Sequence, residues 1–157
     1  MKNKIIQDSE QPLGRMFSLI GKTYLTVLNS RLNALDIERN FYALLLIDQS
    51  DGQITQQELS NMLEIDKVTM LRSIDYLATN GYVERQTNAS DRRKYSLTLT
   101  NKARKALPEI KKSFSQINDI AMQGLSETQR IEFYNSLEII KTNLNEYNST
   151  IWRSIWN

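Results

Sequence analysis

Apolar residues in the first part of the chain recur at three- and four-residue steps: Leu13, Met16, Phe17, Ile20, Tyr24, Val27, Leu28 and Leu32 share one helical face. This spacing predicts a long helix over 13–32. Asn40 or Glu38 opens a second helix whose Phe41, Ala43, Leu44, Leu45 and Ile47 surround much of its circumference, the pattern of a buried helix, and Ser50-Asp51-Gly52 ends it. Next, Thr55-Gln56-Gln57-Glu58 has the form of a capping box, with Ile54 and Leu59 as the hydrophobic staple around it. The short helix it starts carries Leu59, Met62 and Leu63 and stops near Glu64-Ile65. Asp66 then caps a helix from Lys67 to Thr79 that turns Met70, Ile74, Leu77 and Ala78 inward, and Asn80-Gly81 supplies its left-handed stop.

Periodicity changes after that stop. Tyr82–Thr87 and Tyr95–Thr100 are rich in β-branched and aromatic residues, and the second alternates as a half-buried strand does. Between them Asn88-Ala89-Ser90-Asp91-Arg92-Arg93-Lys94 forms the charged tip of a hairpin. Helical spacing returns through Ala106, Leu107, Ile110, Phe114, Ile117 and Ala121 to Gly124, with Pro108 a possible kink. A second capping box, Ser126-Glu127-Thr128-Gln129, opens a last helix with Ile131, Tyr134, Leu137, Ile140, Leu144, Tyr147 and Ile151 on one side. The expected fold class is mainly α with a small antiparallel β-hairpin.

Composition narrows the function more than the fold. With 5 Gly and 2 Pro in 157 residues, turns are few and helices long. The chain has 0 His and no Cys, which excludes disulfides, thiol sensors, Cys nucleophiles, a histidine base and Cys/His zinc sites. No metal and no cofactor is expected. The N-terminus turns polar after Ile5-Ile6, unlike a signal peptide, and the longest apolar run is Ala43–Ile47, so the expected location is the cytoplasm, with no membrane partner. Ile151, Trp152, Ile155 and Trp156 share a helical face, but Arg153 is the only cation near them, a pattern that fits packing against a second copy better than a membrane-surface anchor.

The formal charge of +2 hides an uneven distribution. Residues 67–105 hold nine basic side chains against three acidic ones, a local charge of +6 that leaves the rest of the chain at −4. A basic centre within acidic surroundings points to a localised site for a polyanion. The segment also has a telling order: two short helices joined by a tight turn, followed directly by a basic hairpin, make a winged helix-turn-helix. Its second helix enters a major groove by the N-terminal half, which makes Lys67, Thr69, Arg72 and Ser73 candidate DNA contacts, with Thr55 and Gln57 on the preceding helix. On the narrow wing, Arg92, Arg93 and Lys94 suit a minor groove, and Asp91, which alone would repel phosphate, suits an ion-pair partner that orients an arginine.

Leu71–Arg85, then Asp91-Arg92-Arg93, then Leu97-Thr98-Leu99-Thr100 resemble the MarR family of transcriptional regulators over nearly the whole chain. The wing motif followed by a strand ending in Leu-Thr is the most specific part. The resemblance implies an obligate dimer, interleaved first and last helices, and operator binding relieved by a small phenolic or other lipophilic effector. Position by position, it implies that Thr69 and Arg72 lie on the recognition helix, that Arg93 is the wing-tip arginine of the minor groove, and that Asp91 is its orienting partner. The chain departs from the pattern at Leu71, where many members have Thr or Ser, and it lacks the first-helix Cys of peroxide-sensing members.

The expected division is 1–37 and 105–157 for dimerisation, flanking a DNA-binding domain at 38–104. The terminal apolar stripes exceed what one small winged domain covers, so a homodimer is expected. An effector pocket between the dimerisation helices and the DNA-binding lobe would be lined by Met16, Ile20 and Tyr42, although such residues at helical spacing are also ordinary core. Two other classes remain open: a winged-helix protein-interaction module that never touches DNA, and an enzyme using paired carboxylates, Asp36 with Glu38 or Asp48 with Asp51. Each pair flanks a helix boundary, where capping accounts for it.

Overall fold

The computed structural model describes residues 12–87 and 95–156, with side chains through residue 148. Six helices and one hairpin follow in order: α1 (Leu13–Leu32), α2 (Phe41–Gln49), α3 (Gln56–Met62), α4 (Lys67–Thr79), β1 (Val83–Thr87), β2 (Tyr95–Leu99), α5 (Asn101–Ala121) and α6 (Glu127–Trp156). A 3₁₀ turn, Asn33–Leu35, which the hydrophobic pattern does not reveal, joins α1 to α2. Two compact units are present, one ending at Ile117 and the other starting at Asn118, so the division falls inside α5.

The first unit owns the buried core. Leu28, Leu32 and Ile37 meet Phe41, Leu44 and Ile47 of α2, Leu59 of α3 and the inward face of α4, Met70, Ile74 and Leu77. Leu97 and Leu99 of β2 and Ala103, Leu107 and Ile110 of α5 close the cluster. The C-terminal half of α1 joins this core through Leu28 and Leu32. Its N-terminal half, with Met16, Phe17 and Ile20, stays exposed. Across the core the ring of Phe41 meets that of Phe114 edge-on, with centroids 5.5 Å apart.

Caps set the helix starts where the sequence places them. The Glu58 amide donates to the Thr55 hydroxyl (3.3 Å), and the Glu58 carboxylate accepts from the Thr55 amide (2.8 Å), completing the capping box. One Asp66 oxygen accepts from the amides of Val68 and Thr69, both 2.9 Å, at the start of α4. In the second unit Ser126 and Gln129 form the same reciprocal pair, with Ser126 N to Gln129 Oε1 at 2.8 Å and Gln129 N to Ser126 Oγ at 3.3 Å. Asn40 occupies the N-cap of α2 without a side-chain capping bond. Gly81 takes φ +71 at the stop of α4, a conformation that strains any residue with a Cβ. Helix α5 continues through Pro108.

The hairpin is antiparallel, in the register Val83 opposite Leu99 through Thr87 opposite Tyr95. Strand β2 has a second neighbour: the Leu97 amide donates to the Ile54 carbonyl at 2.8 Å, tying the base of the wing to the entry of α3. Tyr82, expected to start the first strand, instead lies buried just before it and donates its hydroxyl to the Leu35 carbonyl.

The second unit carries α6, 30 residues long, with Ile131, Phe133, Tyr134, Ile139, Leu144 and Tyr147 all exposed. The apolar face expected at Ile151, Trp152, Ile155 and Trp156 falls outside the residues whose side chains are described. Among the described residues no helix is long and apolar enough to cross a membrane.

Candidate nucleic-acid interface

The helical repeat of α4 sorts its residues into two faces. Met70, Ile74 and Leu77 are fully buried, while Lys67, Val68, Leu71, Arg72 and Asp75 are exposed on the opposite side. Packing of the inner face on the core thus aims the outer face of the N-terminal half at solvent. Ser73 lies at the edge of that face, half-buried.

Thr69 has a structural duty as well as an exposed position: its hydroxyl donates to the second Asp66 oxygen at 2.6 Å. That bond, followed by the Thr69 backbone bond, holds the Asp66 carboxyl below its ordinary range. A carboxylate with a depressed folded pKa stabilises above its unfolded value of about 4, and this contribution disappears as pH falls through the folded value. Replacing Asp66 by Asn, which still caps but carries no charge, is expected to lower the urea midpoint at pH 7. The gap to the parent should close as both are titrated below about pH 4. An equal gap at pH 7 and pH 3 would deny the charge a part in the cap.

Thr55 is likewise a capping residue, donating its hydroxyl to Glu58 at 2.8 Å, and Gln57 donates its amide to Asn61 at 2.9 Å on the exposed side of α3. The structure brings five of the sequence candidates into two clefts, while Lys67 lines neither. One, of about 560 Å³, brings Thr69, Arg72 and Ser73 beside Asn29 of α1, Arg39 and Asn40 before α2, and Tyr76. The other, of about 450 Å³, brings Thr55 and Gln57 beside Arg85 and Tyr95 of the wing strands. Asp91, Arg92, Arg93 and Lys94 lie outside the described residues.

Arg39 and Arg85 were not singled out from sequence. Arg39 sits in a turn whose Asp36 (φ +51) and Glu38 (φ +47) both adopt left-handed backbone, a turn no periodicity signals. Tyr76 of α4 donates its hydroxyl to Asp36 at 2.7 Å, holding that turn against α4, and the bond pushes the Tyr76 pKa up to about 12. Arg85 pairs with Asp75 at 2.6 Å, linking β1 to α4 and neutralising the one acid on the outer face of α4. An acid on the outer face of α4 followed ten residues later by a strand arginine is the signal that could have found it.

The carboxylate pairs considered for catalysis have other work. Asp36 accepts from Tyr76, and Asp48 pairs with Lys111 of α5 at 2.7 Å, an ion pair where capping had been expected. Among the described residues no group of three or more carboxylates could hold a metal ion. Of the pocket candidates, Met16 and Ile20 are exposed on α1, and Tyr42, also exposed, sets its ring 5.3 Å from that of Phe41 and 5.0 Å from that of Phe114. Neither cleft is lined by any of the three.

A family model described as the MarR family matches residues 38–94, from the turn before α2 to the wing. The crystal structure of a MarR transcriptional regulator from Methanosarcina mazei is 33% identical, spans 85% of this chain and 96% of that one, and superposes with a TM-score of 0.76. The chain belongs to the MarR family.

Members of the MarR family are DNA-binding transcription regulators and not enzymes, and this chain is a MarR-family transcriptional regulator. The HTH-type transcriptional regulator BilQ of Clostridioides difficile is 27% identical over 105 residues, 67% of this chain and 71% of BilQ. A MarR-family regulator from Listeria monocytogenes, solved in complex with a 26-mer DNA, has the same fold, with a TM-score of 0.79 at 23% identity over 87% of this chain and 91% of that one.

Proposed function

We propose that this MarR-family chain is a ligand-responsive repressor that binds a pseudo-palindromic duplex operator as a homodimer. Recognition helix α4 enters the major groove and the wing enters the minor groove. The observation that carries this reading is the two-faced α4, whose buried Met70, Ile74 and Leu77 aim Lys67 and Arg72 outward from its N-terminal half. Arg72 offers the fork that pairs with a guanine edge, while Thr69, Ser73, Thr55 and Gln57 suit phosphates and sugars. On the wing, Arg93 reaches the minor groove, Asp91 orients it, and Arg92 and Lys94 meet the flanking backbone. The Listeria regulator bound to a 26-mer DNA supports the same use of the fold.

Two copies join through the exposed apolar residues of α1 and α6, so that 1–37 and 105–157 serve dimerisation around the DNA-binding part at 38–104. A small phenolic or lipophilic effector enters beside Met16, Ile20 and Tyr42 and releases the operator. The regulator works in the cytoplasm, where its DNA lies.

Fluorescence anisotropy on an operator selected from random duplex tests the reading. Arg72→Ala is expected to weaken binding to that operator by about 1–3 kcal/mol and to relax preference at one base pair per half-site. Apparent affinity should also fall steeply as salt rises, because cations on α4 and the wing displace counterions from phosphate. A parent protein that prefers no sequence over random duplex would refute the proposal.

A further inference from the structure

The outer face of α4 is not wholly polar. Val68 is 59% exposed and Leu71 45% exposed. At a spacing of three they sit together on one side of the helix, with Arg72 next to Leu71 and one turn beyond Val68. Large aliphatic side chains in that position, flanked by Lys67 and Arg72, fit a partner that is anionic at its rim and apolar within. The floor of a DNA major groove has this character wherever a thymine presents its methyl group. Asp75 continues the same face by one more turn, and its pairing with Arg85 removes the charge that would oppose such a partner.

We propose, on the reading of α4 as the recognition helix, that Val68 and Leu71 are specificity residues that read thymine methyl groups beside the base read by Arg72. Leu71 then supplies a positive apolar readout where many family members have a hydroxyl. The geometry limits where the thymines fall. Helical rise separates Val68 from Leu71 by about 4.5 Å along the axis, and base pairs stack about 3.4 Å apart, so the two methyls lie within about two base pairs of each other. Asp66 fixes the first turn through its bonds to the Val68 and Thr69 amides, so Val68 is held in place before DNA arrives.

The test alters the DNA and leaves the fold alone. In an operator selected from random duplex, each thymine of one half-site is replaced in turn by uracil, which lacks only the methyl group, and binding is read by anisotropy at fixed salt. Substitution at one or two thymines close to the Arg72-dependent base pair is expected to weaken the parent about fourfold each, the worth of one buried methyl. Leu71→Ala should bind thymine and uracil equally at one of these positions, and Val68→Ala at another. If the parent binds every uracil fragment as tightly as the thymine operator, or selects a half-site with no thymine there, the inference fails while sequence-specific DNA binding stands. If the parent selects no sequence at all, the underlying reading fails with it.

Discussion

A chain ended after Gly124 is expected to be monomeric and to bind an operator at least about a hundredfold more weakly than the full chain. The cut removes α6, which carries exposed Ile131, Phe133, Tyr134, Ile139, Leu144 and Tyr147. Exposed apolar area is costly in water, and in the proposed homodimer it is covered by the second copy. The buried core, from Leu28 to Ile117, lies wholly before the cut, so the shortened chain keeps its helix-turn-helix and loses the α6 part of the proposed dimer contact, leaving α1 alone too little to hold two copies together. Each half-site then binds alone, without the gain in effective concentration that linkage provides. Sedimentation velocity at micromolar concentration, alongside anisotropy, decides the matter. A shortened chain that still sediments as a dimer, or binds within threefold of the parent, would remove α6 from the dimerisation scheme.

Phe41→Ala is expected to lower stability by roughly 3–5 kcal/mol, a large share of the 5–15 kcal/mol that holds an ordinary domain folded. The ring is fully buried and lies edge-on to Phe114, so its loss removes apolar burial and leaves a cavity between α2 and α5. Tyr42→Ala is the internal control. Its ring also meets Phe114, but the side chain is 43% exposed, and the cost should be well under half that of Phe41→Ala. Urea unfolding of both variants checks this ranking, and equal midpoints would contradict the placement of the two neighbours on opposite sides of the core boundary. If Tyr42 contacts an effector, its variant should also lose the effector's release of operator while remaining folded.

The parts of the fold legible in sequence are those whose physics is local. The capping boxes at Thr55 and Ser126 and the cap at Asp66 each join residues two or three positions apart, so the residues themselves announce the geometry. The two-faced α4 was legible for the same reason, since the 3.6-residue repeat assigns Met70, Ile74 and Leu77 to one side and Arg72 to the other. Much of the candidate interface, Lys67, Thr69, Arg72 and Ser73, followed from that repeat. Arg39 did not, because its place beside Arg72 depends on the turn at Asp36 and Glu38, where two residues with side chains take left-handed backbone.

The sequence by itself therefore determined the helices, their caps, the hairpin, the basic centre and the inner and outer faces of α4. Only the tertiary structure decided that Tyr76 ties that helix to Asp36, 40 positions away, that Tyr82 reaches back to the Leu35 carbonyl, and that Arg85 neutralises Asp75. It also decided that α1 divides into a half that joins the core and a half that stays exposed, although a single stripe runs along both. The physical reason is separation along the chain. A cap or a helical stripe is specified by neighbours a turn away, whereas a clamp between distant residues forms only after the core has fixed the distance and angle between the elements that carry them.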